Sequence, residues 1–414
     1  MPTESAVTVT NSKRFIDLAD QWGAHNYHPL DVVLSRGEGC WVFDVEGNRY
    51  LDCLAAYSAV NQGHCHPRIV EALTQQAAAL TLTSRAFHND QMGPFLEQLC
   101  ELMGYARALP MNTGAEAVET AIKMTRKWGY QVRGVAEDAA EIIVMSGNFH
   151  GRTTAIVGFS TDPQARDGFG PFAPGFKIVP YGDVDALAAA FGPNTVGVLA
   201  EPIQGEAGVV MPPDGFLTSM AELCRDHKAL MVADEVQTGL GRTGKLLATQ
   251  WENVRPDVLI LGKALGGGVY PVSAVLADDE IMDVFSPGDH GSTFGGNPLA
   301  AAVAREALAI LADEGLVDNA RELGDWFMDE LRAMDSPHVA EVRGRGLMVG
   351  VVVHDSSGPA RPFCKALARR GILAKETHEQ VIRFAPPLVV TREILQGVLP
   401  DIHAVLHGED VDLA

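Results

Sequence analysis

The sequence is poor in the features that mark several protein classes. Its 414 residues include only six cysteines (Cys40, Cys53, Cys65, Cys100, Cys224, Cys364), scattered and with no CxxC pair. In a chain of this length they read as reduced core thiols, not as a disulfide framework. Basic residues are scarce: 32 Lys and Arg stand against 53 Asp and Glu, a net charge of −21. Nucleic-acid affinity rests largely on Lys and Arg contacts to phosphate, so this balance excludes a nucleic-acid partner. Long apolar runs are missing too. The stretch from Leu347 to Val353 is far short of the roughly 18 to 20 residues of a membrane span. From Met1 to Arg14 there is neither a basic start with an apolar stretch nor an Arg-rich amphipathic pattern, which points to a cytoplasmic location. No repeat, low-complexity tract or long linker is visible. His64-Cys65-His66 is the one suggestion of a metal site, but adjacent residues rarely converge on one ion, and the expectation is no metal.

What is abundant is apolar residue (47%) and glycine, 42 in all. That is about 10% glycine, against about 7% on average. Short runs rich in β-branched and other apolar residues recur, at Glu141–Met145, Ala155–Phe159, Lys177–Val179, Val196–Ala200, Ala229–Ala233, Val258–Leu261 and Val272–Ala277. They are almost continuously apolar, as strands covered on both faces are. Helical patterns lie between them, at Pro67–Leu80, Ala115–Tyr130, Gly215–His227 and Pro298–Ala312. The alternation predicts a doubly wound, mostly parallel sheet that binds its ligand at the carboxyl ends of its strands. Beyond about residue 315 the pattern changes to a helix over Val317–Met334, strands near Leu347–Val353 and Val381–Phe384, and closing helices. The expected division is an N-terminal segment (1–57), a large α/β domain (58–315) and a small α+β domain (316–414).

Two glycine motifs point to nucleotides and fall short. Gly239-Leu-Gly241-Arg-Thr-Gly244 matches GxGxxG, but five residues separate it from its strand and no acidic residue ends a second strand about 20 residues on. Gly239, Gly244 and Lys245 nearly make a P-loop, yet Leu246 stands where the Mg²⁺-binding hydroxyl belongs. The stretch reads as a flexible loop; an NTPase remains the reading it would support.

The strongest chemical signal is a pair of strand ends. Leu230-Met-Val-Ala-Asp234-Glu235 delivers carboxylates at the tip of a buried strand. Val258-Leu-Ile-Leu-Gly-Lys263 delivers a lysine, followed by Gly266-Gly267-Gly268. A snorkelling lysine is the plain alternative. Glycines crowd behind this one, however, as they do where backbone approaches a ligand. A desolvated lysine becomes a nucleophilic amine able to form a Schiff base. A neighbouring aspartate is the carboxylate that keeps a pyridine nitrogen protonated. Thr113-Gly114-Ala115 opens a helix, a natural phosphate site as well as an ordinary N-cap.

These residues sit in segments that resemble the class III, fold-type I pyridoxal-phosphate aminotransferases. The likeness runs from about Trp22 into the C-terminal domain, through Asn26-Tyr-His-Pro29, Asn61-Gln-Gly-His-Cys-His-Pro67, Met111-Asn-Thr-Gly-Ala-Glu-Ala117, Glu201-Pro-Ile-Gln-Gly-Glu206, Gly262-Lys-Ala-Leu-Gly-Gly-Gly268, Ser292-Thr-Phe-Gly-Gly-Asn-Pro298 and Ile382-Arg-Phe-Ala-Pro-Pro-Leu388. The resemblance implies a large domain with a mostly parallel seven-stranded sheet. It implies that Lys263 binds pyridoxal 5'-phosphate and shuttles the proton. Asp234 would pair with the pyridine nitrogen, Gln237 would contact the ring hydroxyl, and Phe149 would stack on the ring. Gly114 and Ala115 would hold the phosphate. Thr293, with Ser292 in the same loop, would reach the phosphate of a neighbouring subunit, so that a homodimer shares its active sites.

Within the family the likeness is nearest to the branch that acts on ornithine. It implies transfer of the δ-amino group of L-ornithine to 2-oxoglutarate, with N-acetylornithine or 4-aminobutyrate as alternative donors. Glu206 and Arg383 would form a switch that masks or exposes the arginine charge. Arg152 would bind the carboxylate at the other end, Tyr27 would hold the α-amine, and Tyr57 would line the cleft. Glu201 would support Arg152 or the cofactor side. His150 stands where the ornithine branch carries Trp and the wider class His, against the ring region. A non-catalytic relative that kept the fold is the reading from a different class.

Overall fold

The structure is a computed structural model and describes residues 11–412. Its centre is a seven-stranded sheet in the order Arg107–Met111, Ser273–Ala277, Val258–Leu261, Leu230–Asp234, Thr195–Ala200, Glu141–Met145, Phe176–Val179. Ser273–Ala277 runs antiparallel to both of its neighbours, and the other strands share one direction. The central strands Thr195–Ala200, Leu230–Asp234 and Val258–Leu261 are buried at every position. This explains their lack of polar alternation, because helices cover both faces. Helix Gly114–Gln131 packs on one side with Ile142, Val144 and Ile260, and helix Phe216–Asp226 on the other with Ile143, Val198 and Met231.

Two expectations fail here. Ala155–Phe159 is not a strand: Thr154–Val157 forms a helical turn, capped by the Thr153 side chain, which accepts from the Ile156 amide. Its place in the sheet is taken by Arg107–Met111, at the edge. Pro110 hid this strand, since proline is confined to sheet edges and lowers the strand signal. The six cysteines are unpaired, and Cys65 is exposed, not part of the core.

The C-terminal part carries a second sheet, Val339–Arg345, Met348–Val353, Val381–Phe384 and Lys375–Thr377 in that order, with helices Leu316–Ala333, Arg361–Arg369 and Arg392–Leu406 around it. A third sheet joins Leu34–Glu38, Trp41–Asp44 and Arg49–Asp52 to the distant Ile372–Leu373. Among the described residues no helix is long and apolar enough to cross a membrane.

The glycine-rich stretches do not all do what was expected. Gly267 lies at φ +57, and a Cβ there would fall 2.6 Å from Ile69 Cδ1. The triplet behind Lys263 thus lets the chain turn against helix Pro67–Ala79, in the apolar core and not at a ligand. Residues 239–244 are all buried, so this is no flexible loop. Polar turns are ordinarily on the surface, and a buried one has to place its backbone groups on partners. Here Leu240 and Gly241 amides donate to the Leu246 carbonyl.

Candidate active site

Parallel strands that end together bring their following residues together. Leu230–Asp234 and Val258–Leu261 are neighbours with Asp234 opposite Ile260, so Asp234 and Lys263 emerge side by side at the carboxyl edge. Glu201 follows the next strand, Thr195–Ala200, and residues 147–152 follow Glu141–Met145. Helix Gly114–Gln131 begins at the same edge. Gly114, Ala115, Phe149, Glu201, Asp234, Gln237 and Lys263 line one cavity of about 180 Å³. It opens toward a larger cleft of about 870 Å³, which shares Phe149 and adds Tyr57, Arg152, Glu206 and Arg383.

Asp234 is 5% exposed. Its Oδ1 accepts from the Val236 amide at 3.0 Å, and its Oδ2 lies 2.7 Å from His150 Nδ1. Burial alone would lower the His150 pKa, but the hydrogen bond and charge of Asp234 overturn this, and the net shift is upward. The bond to His150 fixes the Asp234 carboxylate in place, while His150 Nε2 is buried with no hydrogen-bond partner among the described residues. Lys263 has φ +46, the left-handed region that side chains other than glycine rarely adopt. Burial pushes its ammonium pKa below the ordinary value and Arg383 adds to this; Glu206, Asp234 and Glu201 oppose it.

At the helix start Thr113 and Glu116 form a reciprocal cap: the Glu116 amide donates to Thr113 Oγ1, and the Thr113 amide donates to Glu116 Oε2. Among the hydrogen bonds of the described residues none uses the Gly114 or Ala115 amide, and both residues face the cavity. The N-cap and an anion site therefore coexist. Gly151, at φ +128, lets the Phe149 loop lie on this helix start, where a Cβ would fall 2.8 Å from Ala115 Cβ.

A buried amine with a depressed pKa, a buried carboxylate bonded to a histidine, an aromatic wall and two free amides at a helix start form a donor set that fits pyridoxal phosphate. No three His, Cys, Asp or Glu side chains among the described residues gather as a metal would need. His64 and His66 diverge, to Asp52 at 2.7 Å and to Glu314 at 3.0 Å.

In the outer cleft Arg383 Nη1 donates to Glu206 Oε1 at 2.7 Å and to Gln237 Oε1 at 3.2 Å, and the Arg383 guanidinium lies 4.8 Å from the Tyr57 ring centre. Burial would raise the Glu206 carboxyl, but the Arg383 and Lys263 charges hold it below the usual range. Gln237 also donates to Glu206, so it touches the switch as well as the inner cavity. Tyr57 reaches Arg383 from a turn in which Ala55, Ala56, Tyr57 and Ser58 all have positive φ. Ala56 is exposed at φ 46, ψ 48. Left-handed backbone costs roughly 1 to 2 kcal/mol per residue, part of which glycine would give back in unfolded-chain entropy. Ala56→Gly is expected to raise stability by about 0.5 kcal/mol, read as a higher denaturation midpoint with unchanged slope.

Arg152 lies over Phe149, 5.4 Å from the ring centre. Tyr27 is 74% exposed and lines neither cavity, though it is close enough to add to the upward shift of the Tyr57 phenol. Ser292 accepts from Asn112 Nδ2 at 3.0 Å and from the Gly295 amide, and Thr293 is exposed; neither lines the inner cavity or the outer cleft.

Glu201 lines the inner cavity and not the outer cleft that holds Arg152. It accepts from the Phe149 amide at 2.8 Å, and burial pushes its carboxyl up to about 7 against the opposing charge of His150. A carboxyl whose folded pKa exceeds its unfolded value stabilises most when protonated. Its contribution is present at low pH and falls as pH rises from the usual carboxylate range through about 7. The loss is on the order of 3 kcal/mol. Glu201→Gln keeps the Phe149 contact and is expected to flatten the melting temperature between about pH 5 and about pH 8; an unchanged slope would place the titration elsewhere.

The comparisons agree with this geometry. The Aminotransferase class-III family matches residues 22–406. The ornithine aminotransferase of Bordetella pertussis is 59% identical over 392 residues, covering 94% of this chain and 95% of its own. Ornithine aminotransferase 2 of Staphylococcus aureus is 56% identical over 397 residues, covering 96% and 100%. The crystal structure of the Toxoplasma gondii ornithine aminotransferase superposes with a TM-score of 0.95 at 46% identity over 96% of both chains. That of an acetylornithine aminotransferase from Elizabethkingia anophelis gives 0.88 at 50%, covering 96% and 99%. With the seven-stranded sheet and the lysine and aspartate at its carboxyl edge, the chain belongs to the class-III aminotransferases, enzymes of fold type I that use pyridoxal 5'-phosphate.

Proposed function

We propose that the chain transfers the δ-amino group of L-ornithine to 2-oxoglutarate, giving L-glutamate 5-semialdehyde and L-glutamate. The observation that carries this is the Arg383–Glu206 pair at 2.7 Å in the outer cleft, with Arg152 on the same cleft. One pocket has to accept a cationic donor in one half-reaction and a dicarboxylate in the other. With Glu206 on Arg383 the guanidinium is masked and the cleft tolerates the ornithine ammonium. With Glu206 displaced, Arg383 is free to bind carboxylate bidentately.

Bound pyridoxal phosphate supplies an electron-withdrawing ring that makes the proton on the substrate carbon labile. In this reading Lys263 holds the cofactor and then carries that proton on Nζ, as its depressed pKa favours. Asp234, held in place by His150, keeps the pyridine nitrogen protonated. Gln237 would contact the ring hydroxyl, Phe149 would cover one ring face, and the Gly114 and Ala115 amides would take the phosphate. Arg152 binds the ornithine α-carboxylate and Tyr27 its α-amine, with Tyr57 packing between Arg383 and the substrate. We assign Ser292 and Thr293 to the phosphate of a second subunit. Exposed Trp22, Tyr27, Phe87 and Phe294 support a homodimer; sedimentation of the holoenzyme as a monomer would overturn it.

The test is a half-reaction assay with ornithine, N-acetylornithine and 4-aminobutyrate, following the loss of the visible absorption as the amino group is taken up. Ornithine is expected to react with the highest kcat/KM. A preference for N-acetylornithine would move the assignment to the branch represented by the Elizabethkingia neighbour. Tyr27→Ile is expected to lower ornithine turnover about tenfold or more relative to 4-aminobutyrate; an unchanged ratio removes Tyr27 from recognition.

A further inference from the structure

Arg242 lies in the glycine-rich stretch that nearly matches the nucleotide-loop motifs, and it is 0% exposed. None of its hydrogen bonds goes to a carboxylate. Nη1 donates to the Leu347 carbonyl at 2.8 Å and to the Pro386 carbonyl at 2.6 Å, and Nη2 donates to Asn61 Oδ1 at 2.6 Å. The Leu347 amide returns a bond to the Arg242 carbonyl at 3.1 Å. Asn61, equally buried, donates to the Leu240 carbonyl at 3.0 Å, and its own carbonyl accepts from the Leu388 amide.

The acceptors have a common location. Leu347 immediately precedes strand Met348–Val353, and Pro386 stands two residues beyond strand Val381–Phe384. These strands are antiparallel, with Gly350 opposite Arg383 and Val349 opposite Phe384. Arg242 therefore grips both strands at one end, and one of its acceptors, Pro386, stands three residues along the chain from Arg383. The contact is close: a Cβ on Gly346 would fall 2.4 Å from the Thr243 carbonyl carbon. A buried guanidinium with no carboxylate bonded to it is expensive even with the charge of Asp52 nearby, and an apolar side chain of similar volume would fill the space at lower cost. What the guanidinium adds is fixed direction, three planar bonds to three separate chain segments. The two partners in the outer cleft differ accordingly. The Arg383 side chain is 2% exposed on a strand, and the Glu206 side chain is 27% exposed on a loop.

We propose that Arg242 is a positioning residue for carboxylate recognition, locking the ends of Met348–Val353 and Val381–Phe384 so that Arg383 is the immobile half of the switch and Glu206 the mobile half. This rests on the reading of Arg383 as the group that takes the 2-oxoglutarate carboxylate. The carboxylate arm of the reaction therefore depends on Arg242, and the ornithine arm, in which Arg383 stays paired with Glu206, depends on it far less.

The test uses the holoenzyme and the variants Arg242→Met, Arg242→Lys and Arg383→Ala. Arg242→Met is expected to raise the 2-oxoglutarate KM about tenfold and leave the ornithine KM within about twofold. Calorimetry with glutarate, a dicarboxylate that cannot react, is expected to show a parallel loss of affinity. Arg242→Lys, which retains a donor and the charge, should fall between Met and the parent. Where Arg242→Met does not accumulate as folded protein, Asn61→Ala with Arg242→Lys gives the same comparison, with shifts of about threefold. Equal changes in both KM values, or no change in either, overturn the proposal if Arg383→Ala selectively raises the 2-oxoglutarate KM. If Arg383→Ala does not raise it, the reading of Arg383 has failed and takes the proposal with it.

Discussion

Replacing Lys263 by alanine is expected to leave a folded, colourless protein whose kcat has fallen by at least about 10⁴. Lys263 is the only lysine lining the inner cavity, and it faces Asp234 and Glu201 across it. A lysine at the ordinary pKa would be almost wholly protonated near neutrality and could neither link to an aldehyde nor accept a proton. Burial first, and then the charge of Arg383, bring this one down, and Glu206, Asp234 and Glu201 limit the fall. The backbone at φ +46 is unchanged in the alanine variant, because alanine and lysine meet the same Cβ restriction there. Stability should therefore move little, and the loss should be chemical. Added methylamine is expected to restore a part of the rate to Lys263→Ala, because a free amine can take over the proton transfer. A variant that remains coloured after dialysis, or retains more than about 1% of the rate, would move the cofactor link to another residue.

What the sequence revealed and what it hid divide along a physical line. Val258–Leu261 and Glu141–Met145 were legible to the residue, because strands buried on both faces leave an unbroken apolar run. Arg107–Met111 was not, since it carries Pro110, which an edge strand tolerates and which lowers the strand signal. Ala155–Phe159 has strand composition, but the Thr153 cap turns it into a helix, and nothing in its apolar content distinguishes the two at that length. Gly266 to Gly268 were legible as a place of close approach, and composition could not say that the partners are core residues, Ile69 at Gly267 and Val60 at Gly268.

The site divides in the same way. Asp234 and Lys263 follow from strand ends alone. The tie between His150 and Asp234 joins a loop residue after one strand to the end of another, 84 positions apart, and only the sheet order brings them together. Tyr57 is placed by four consecutive left-handed residues, none of them glycine or asparagine, so no turn signal marks them. Arg242 was visible only as the filler of a motif that did not fit. Its partners come from three distant segments, and a buried arginine bound to carbonyls leaves no pattern of opposite charges to find.

Replacing Arg383 by alanine is expected to lower kcat/KM for 2-oxoglutarate by about 10² to 10³, the effect of removing one member of a buried, hydrogen-bonded charge pair, about 2 to 5 kcal/mol. The ornithine half-reaction should fall much less, since Arg383 is masked by Glu206 there. The stability signature is separate and has a definite sign. In the parent enzyme the Glu206 carboxyl is held below its usual range, so its pairing stabilises the fold above that range and the contribution is lost as pH falls through the depressed value. Without Arg383 the burial of Glu206 is no longer compensated, and its carboxyl pKa shifts upward. The variant should therefore be less stable than the parent at neutral pH, by up to about 3 kcal/mol, and the gap should narrow as the medium is acidified and Glu206 takes up a proton. A second substitution, Glu206→Ala, is expected to recover most of that stability and none of the 2-oxoglutarate activity. The combination distinguishes the switch from a merely structural ion pair: recovery of 2-oxoglutarate turnover in the double variant, or equal losses for ornithine and 2-oxoglutarate in the single one, would mean that Arg383 supports the cleft without reading the substrate.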